Sequence, residues 1–351
     1  MDRCPSNEAP LGVYVSRTKK PGINMVVTNV HTEPCDVSIC IVNWNGREVL
    51  ADLLESLHKL TDAASIEVIV VDNASADGSV EMVQSLFPWV KLIVNGRNVG
   101  FAGANNQAAR VASGRRLYFL NNDTILPGGS TDTLVRFLDE HPEASAVGPQ
   151  LLNLDGSHQP SCRNLPTLAA LLHQVTLLRW MGLFRSACRR YRRVKLQPDQ
   201  IAEVPQLGGA ALLVRREAFD TCGGWDDGFV FGLEDVDLCA RLRTNGPLFY
   251  MGKARVTHLG GVGSKANSRF VYRSYKCGYA RYLRKHHPKR WAAPLYKLLV
   301  TVDLPFVILD DAVTAIASAF VRKTDRTSNR LKHMVAAASF LCCDLRRFWL
   351  S

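Results

Sequence analysis

A chain of 351 residues, 47% hydrophobic and 21% charged, can bury a sizeable core and is too apolar for a disordered tail or a fibre. Its formal charge of +11 suggests a polyanionic partner, whether phosphate, nucleic acid or an acidic membrane surface. The ten cysteines form no C-x-x-C pair and no Cys/His ladder, so neither a zinc knuckle nor a disulfide framework is indicated, and a reducing cytosol fits best.

Residues 1–35 hold scattered prolines and lysines but no continuous apolar run, which predicts a loose extension rather than a secretory signal. From Asp36 the pattern becomes periodic. "DVSICIVNWNG" is an apolar run that stops at Asn43 before the helix-like "REVLADLLESLHKL". "IEVIVVDNASADGS" ends on Asp72 and Asn73 before "SVEMVQSLF", and "VKLIVNG" leads through Asn98 and Gly100 into "RNVGFAGANNQAARVAS". A fourth run, "LYFLNNDTIL", closes on Asn121, Asn122 and Asp123.

Short strands alternating with helices predict an α/β fold with a parallel sheet buried on both faces and its ligand crevice at the carboxyl ends of the strands. Asn43, Asp72 and residues 121–123 would then gather along one rim as binding groups, although each alone is also an ordinary turn residue. Neither G-x-G-x-x-G nor a P-loop occurs at the first loop, and "GFAGAN" reads equally as a tight loop or a phosphate contact. Asp123 has the hard oxygen that a divalent cation on a diphosphate requires.

The densest polar constellation lies in residues 208–246. There "LEDVDLCARL" has helical spacing with Glu234, Asp235 and Asp237 in its first turn. Such carboxylates complement the helix dipole, and one held at a crevice mouth can act as a general base. In "ARVTHLGGVGS", His258 ends a short strand before a glycine-rich loop, either as a structural residue or as a metal ligand beside Asp123.

Taken in order, "VSICIVNWNG", "VIVVDNASADGS", "NVGFAGANN", "FLNNDT", "GGAALLVRREAF", "GGWDDGFVFGLEDVDLCARL" and "THLGGVGS" resemble a family 2 glycosyltransferase of the GT-A fold, in particular its bacterial rhamnosyltransferase-like branch. The resemblance implies a Rossmann-like, mostly parallel sheet over 36–287, split into a nucleotide-binding half (36–130) and an acceptor and catalytic half (131–287), with a helical appendage at 288–351. It implies inverting transfer of a sugar, such as rhamnose, from a dTDP-, UDP- or GDP-sugar with Mg²⁺ or Mn²⁺ on the diphosphate. Asp72 and Asn43, with Asn73, Asn98, Gly100, Asn121 and Asn122, would face the donor nucleotide. Asp123 would hold the metal from a D-x-D-like motif that has Asn at its first position, and His258 would assist it. Asp235 matches the catalytic base, Glu234 would help position the acceptor, and Trp225 and Asp226 would contact it.

Residues 179–196 combine seven basic residues with Trp180, Leu183 and Phe184. Residues 275–291 form a second basic, aromatic stretch. Each is a solvated face or an attachment to an anionic leaflet. The apolar segment 294–321 is interrupted by Asp303, Pro305, Asp310 and Asp311, too often to span a bilayer, and is expected to lie on the domain or on lipid. A cytoplasmic enzyme, peripheral on the inner face of the cell membrane, would take a glycan or polyprenyl-linked acceptor for cell-surface polysaccharide, with no nucleic-acid partner. A sugar nucleotidyltransferase and a non-enzymatic basic membrane- or nucleic-acid-binding module remain the rival readings.

Overall fold

The computed structural model describes residues 27–28, 35–60, 64–260, 267–321 and 324–351. Most of the expected N-terminal extension and the glycine-rich loop beyond Gly260 therefore lie outside the described residues. Strand β1 (Val27–Thr28) is followed by β2 (Val37–Asn43), α1 (Arg47–His58), β3 (Ile66–Asp72), α2 (Ser79–Leu86), β4 (Lys91–Val94), α3 (Phe101–Val111) and β5 (Arg116–Asn121). Next come β6 (Thr124–Ile125), α4 (Ser130–Glu140), β7 (Ala146–Leu152), β8 (His158–Gln159) and β9 (Cys162–Arg163). Three short helices, α5 (Leu168–Leu172), α6 (Thr176–Trp180) and α7 (Arg185–Arg192), precede β10 (Ile201–Glu203), β11 (Gln206–Leu207) and β12 (Ala211–Arg215). The chain continues through α8 (Arg216–Thr221), α9 (Glu234–Leu242) and β13 (Leu248–His258), then α10 (Ser268–His286), α11 (Ala292–Phe320), α12 (Thr324–Ser339) and α13 (Leu345–Leu350).

The main sheet runs β1-β4-β3-β2-β5-β12-β7-β13-β10. Neighbours β4, β3, β2 and β5 are parallel, as are β7 and β13, whereas β12 lies antiparallel between β5 and β7. The mostly parallel sheet flanked by helices is thus the architecture observed. Every residue of β2 is buried, as a strand covered on both faces must be. On one face Leu50, Leu53, Leu54 and Leu57 of α1 form a helical stripe in the core. The other face packs on α3, α8 and α9.

Two features depart from expectation. His258 ends an 11-residue strand rather than a short one, because β13 pairs along the whole of β7 and at its end also with β6. Residues 292–320 form one helix that accommodates Pro305. A third core joins Leu168, Val236, Tyr272 and Tyr279 to Tyr296, Leu304, Phe340 and Phe348, on both sides of residue 287. Among the described residues no helix is long and apolar enough to cross a membrane.

Candidate active site

Strand register assembles the rim. Asn43 pairs with Asp72 across β2 and β3, and Val42 pairs with Asn121 across β2 and β5, so the polar ends of three strands lie side by side. Asn43 donates to Asp72 Oδ2 at 3.0 Å and accepts from Asn122 Nδ2 at 2.8 Å. Asp72 Oδ1 accepts from Ser75 N at 2.8 Å. Gly46 keeps this cluster closed: a Cβ there would overlap Asn122 Nδ2 and lie 3.0 Å from Asn43 Oδ1. Gly100, at φ +82°, turns the chain into α3 beside the same rim.

At the end of β5 and β13, His258 Nε2 stands 3.2 Å from Asp123 Oδ1 and 3.2 Å from Asn121 Nδ2. Gln159 completes the group. Its Nε2 donates to Asn153 Oδ1 at 2.9 Å and to His258 O at 3.1 Å, which leaves Oε1 to accept from His258 Nδ1 at 2.6 Å. That network places a proton on Nδ1 and turns Nε2 toward Asp123 and Asn121. Sequence reading missed Gln159, which lies 99 residues from His258 in the hairpin strand β8.

The carboxylate of Asp235 reaches the rim through β12. Because β12 is antiparallel, its start meets the strand ends: Asn121 N donates to Ala210 O at 3.0 Å, and Gly209 N donates to Asp235 Oδ2 at 3.2 Å. Val236 N and Gln206 Nε2 add donors at 2.8 and 3.4 Å. Burial raises the Asp235 carboxyl above its ordinary value, outweighing these donors and the field of Arg163. Glu234 beside it is raised for the same reason and by the charge of Asp235. Part of Glu234 reaches the surface, but its Oε2 is enclosed and without a hydrogen-bond partner. The donors to Asp235 favour negative charge there, and the unpartnered Oε2 of Glu234 disfavours it. Both follow Leu233, a non-glycine residue at φ +72°, a strained turn held by burial of its side chain.

Residues 38–198 match glycosyl transferase family 2. The chain is 31% identical over 276 residues to an N-acetylglucosaminyl-diphospho-decaprenol L-rhamnosyltransferase of Mycobacterium tuberculosis, covering 73% of this chain and 87% of the relative. The chain belongs to glycosyl transferase family 2. Rhamnosyltransferase WbbL of Escherichia coli is 26% identical over 60% of this chain and 78% of its own length. A solved mannosyltransferase of Pyrobaculum calidifontis, in complex with GDP-Man and Mn²⁺, is similar at 18% identity and a TM-score of 0.49, covering 89% and 88% of the two chains. As a family 2 glycosyltransferase, the protein is an enzyme, which sets aside the nucleotidyltransferase and non-enzymatic readings.

Within this glycosyltransferase several expected contacts take other roles. Trp225 is 2% exposed and packs edge-on against Phe101 and Phe119, so it presents no face to a sugar. Asp226 is occupied by Arg281 at 2.6 Å and Lys285 at 2.9 Å, which outweigh its burial and hold its carboxyl far below the usual range. It clamps the loop before α9 to α10 instead of meeting an acceptor. Asn73 accepts from Asn95 Nδ2 at 3.0 Å and donates to Gly100 O at 3.3 Å, and Asn98 Oδ1 accepts from Gly100 N at 2.8 Å. Asn73, buried, and the Oδ1 of Asn98, an exposed residue, brace the loop at Gly100.

Burial of Glu234 has a consequence for stability. A carboxyl whose folded pKa is raised contributes stability below its unfolded pKa and loses it as pH rises through the folded value, here about 8. Glu234→Gln removes that ionisation. Thermal denaturation is expected to show the wild type falling behind the variant by up to about 1 kcal/mol per pH unit between about pH 5 and about pH 8. Parallel pH profiles for the two proteins would show that Glu234 is not held protonated.

Proposed function

We propose that the protein transfers a 6-deoxyhexose such as L-rhamnose from a nucleoside diphosphate sugar to a hydroxyl of a polyprenyl-diphosphate-linked glycan, with inversion. The carrying observation is the connection of the Asn43, Asp72, Asn121 and Asn122 rim to a raised, hydrogen-bonded Asp235 through the start of β12. The naming of the Mycobacterium tuberculosis relative supports the sugar and the acceptor class.

In this reading Asp72 and Asn43 bind the nucleoside, and the strand-end amides fix its ribose and diphosphate. Asp235 accepts the proton of the acceptor hydroxyl while that oxygen attacks the anomeric carbon and the diphosphate departs on the opposite side. One displacement inverts the configuration. An Asp with a raised pKa is a stronger base than an ordinary carboxylate. Gly209 N and Val236 N keep its oxygens aimed.

A hard carboxylate oxygen and an imidazole nitrogen converging at Asp123 and His258 fit Mg²⁺ or Mn²⁺. Among the described residues no set of three His, Cys, Asp or Glu could hold such an ion, and a cation of this kind takes its remaining ligands from substrate phosphate and water. Asp123 and His258 would hold it, and the ion would supply charge neutralisation to the leaving diphosphate.

Calorimetry with UDP, GDP, dTDP and their sugars tests this reading. Mn²⁺ is expected to tighten nucleotide binding by wild type, and Asp123→Ala to remove about tenfold or more of that affinity. Binding indifferent to both Mn²⁺ and Asp123→Ala would contradict the assignment.

A further inference from the structure

The rim leaves unexplained a surface built by α6, the turn after it, α7 and α11. Helix α11 buries Tyr296, Val300, Leu304, Val307 and Ala315 against the rest of the protein. Its opposite face should then be polar. Instead it presents Leu298, Val302, Leu309, Val313, Ile316 and Phe320 at 50, 51, 54, 57, 59 and 85% exposure. Their spacing of three, four or seven residues places them on one stripe, extending over most of a 29-residue helix roughly 40 Å long.

A second apolar element is fixed to this helix. The carboxylate of Asp303 accepts from Thr176 N at 2.7 Å and Leu177 N at 3.2 Å, and Asp310 accepts from Arg179 Nη2 at 3.0 Å and Trp180 Nε1 at 3.2 Å. Trp180 also meets Phe306 edge-on, with ring centroids 6.4 Å apart. Beyond it, Gly182 and Phe184 at φ +72° and +60° reverse the chain and leave Trp180, Met181, Leu183 and Phe184 at 52, 70, 41 and 40% exposure. Helix α7 follows directly with Arg185, Arg189, Arg190 and Arg192, all exposed. Among the described residues none of these four arginines forms an ion pair.

We infer that α11 and the 180–184 knuckle form a docking face for a lipid bilayer with anionic headgroups, α11 lying along the interface and α7 contacting phosphates. Apolar side chains in a stripe, an aromatic tip and unpaired arginines beside them are the combination an anionic interface accepts. A second copy is a poorer occupant. Self-docking about a two-fold axis through α7 would oppose two unpaired arginine sets, and Asp310 on α11 is already held by Arg179 and Arg330. Helix α10 shares a core with Val236 of α9 and with the buried side of α11, so it joins the helix of Asp235 to the helix of the docking face. The inference deepens the proposed reaction by saying how a lipid-linked acceptor is met, and it rests on that reading only for this purpose.

The test is co-sedimentation of the full chain with phosphatidylcholine vesicles, with and without phosphatidylglycerol. The expected result is binding to the anionic vesicles that weakens with salt and falls about tenfold or more in Val313→Glu/Ile316→Glu and in Arg189→Gln/Arg190→Gln. Melting temperature and nucleoside diphosphate affinity should stay at wild-type values. The arginine pair keeps the test decisive should the glutamates impair folding. Absence of binding to anionic vesicles, binding untouched by either variant, or a dimer in light scattering that the glutamates dissociate without any vesicle binding would each overturn it. Failure of the donor reading would show only in the nucleotide calorimetry.

Discussion

Asp235→Asn is expected to lower turnover about a thousandfold while leaving nucleoside diphosphate affinity within about twofold of wild type. The contacts of Asp235 run to Gly209 N, Val236 N and Gln206 Nε2, whereas Asp72, Asn43 and Asp123 occupy the ends of the parallel strands and the turn that follows β5. Replacing one oxygen by NH₂ removes the proton acceptor and keeps the shape. Either orientation of the carboxamide turns its NH₂ toward an N–H, of Gly209 or of Val236, so the variant also gives up one of these hydrogen bonds. Steady-state kinetics alongside calorimetry check this. Lost donor binding in proportion to lost turnover would place Asp235 in nucleotide binding instead.

Two residues along the same helix, Asp237→Ala is expected to cost about 3 to 5 kcal/mol of stability, a large share of the margin of an ordinary domain. Asp237 has no exposed side-chain surface and holds two cations, Arg241 at 2.6 Å and Lys285 at 2.8 Å, together with His286 Nε2 at 2.7 Å. Removing the carboxylate leaves these charges facing one another at the α9–α10 junction. Burial alone would raise the Asp237 carboxyl, but His286, Lys285 and Arg241 outweigh it and lower it. A depressed carboxylate gives stability above its unfolded pKa that is lost as pH falls through the folded one. The wild type should therefore lose its advantage over Asp237→Ala in acid. Denaturant unfolding at neutral and acid pH measures both effects, and a loss under about 1 kcal/mol at neutral pH would contradict the network's role.

These two aspartates show where sequence reading reaches and where it stops. The strand-end cluster was legible because parallel strands carry their polar termini to one rim, and the register of Asn43 with Asp72 delivered that. The start of α9 was legible from its spacing. Which carboxylate turns inward to cations and which toward the rim was not, because the answer depends on α10, thirty or more residues away in sequence. Trp225 misled for a related reason: an aromatic in a glycine-rich loop resembles a sugar platform, yet the twin turn at Gly223 and Gly224, φ +81° and +73°, drives it into the core. Gln159 gave no signal, since its importance exists only once β7, β8 and β13 are adjacent. The antiparallel entry of β12 was equally hidden, and it is what carries Asp235 to the rim.

The most direct test of the whole account is the anomeric configuration of the product, read by NMR after incubating wild type and Asp235→Asn with a nucleoside diphosphate sugar and a lipid-linked acceptor. The account predicts a new glycosidic bond of inverted configuration from wild type and almost none from the variant. A retained configuration, or undiminished product from Asp235→Asn, would contradict a single displacement with Asp235 as its base.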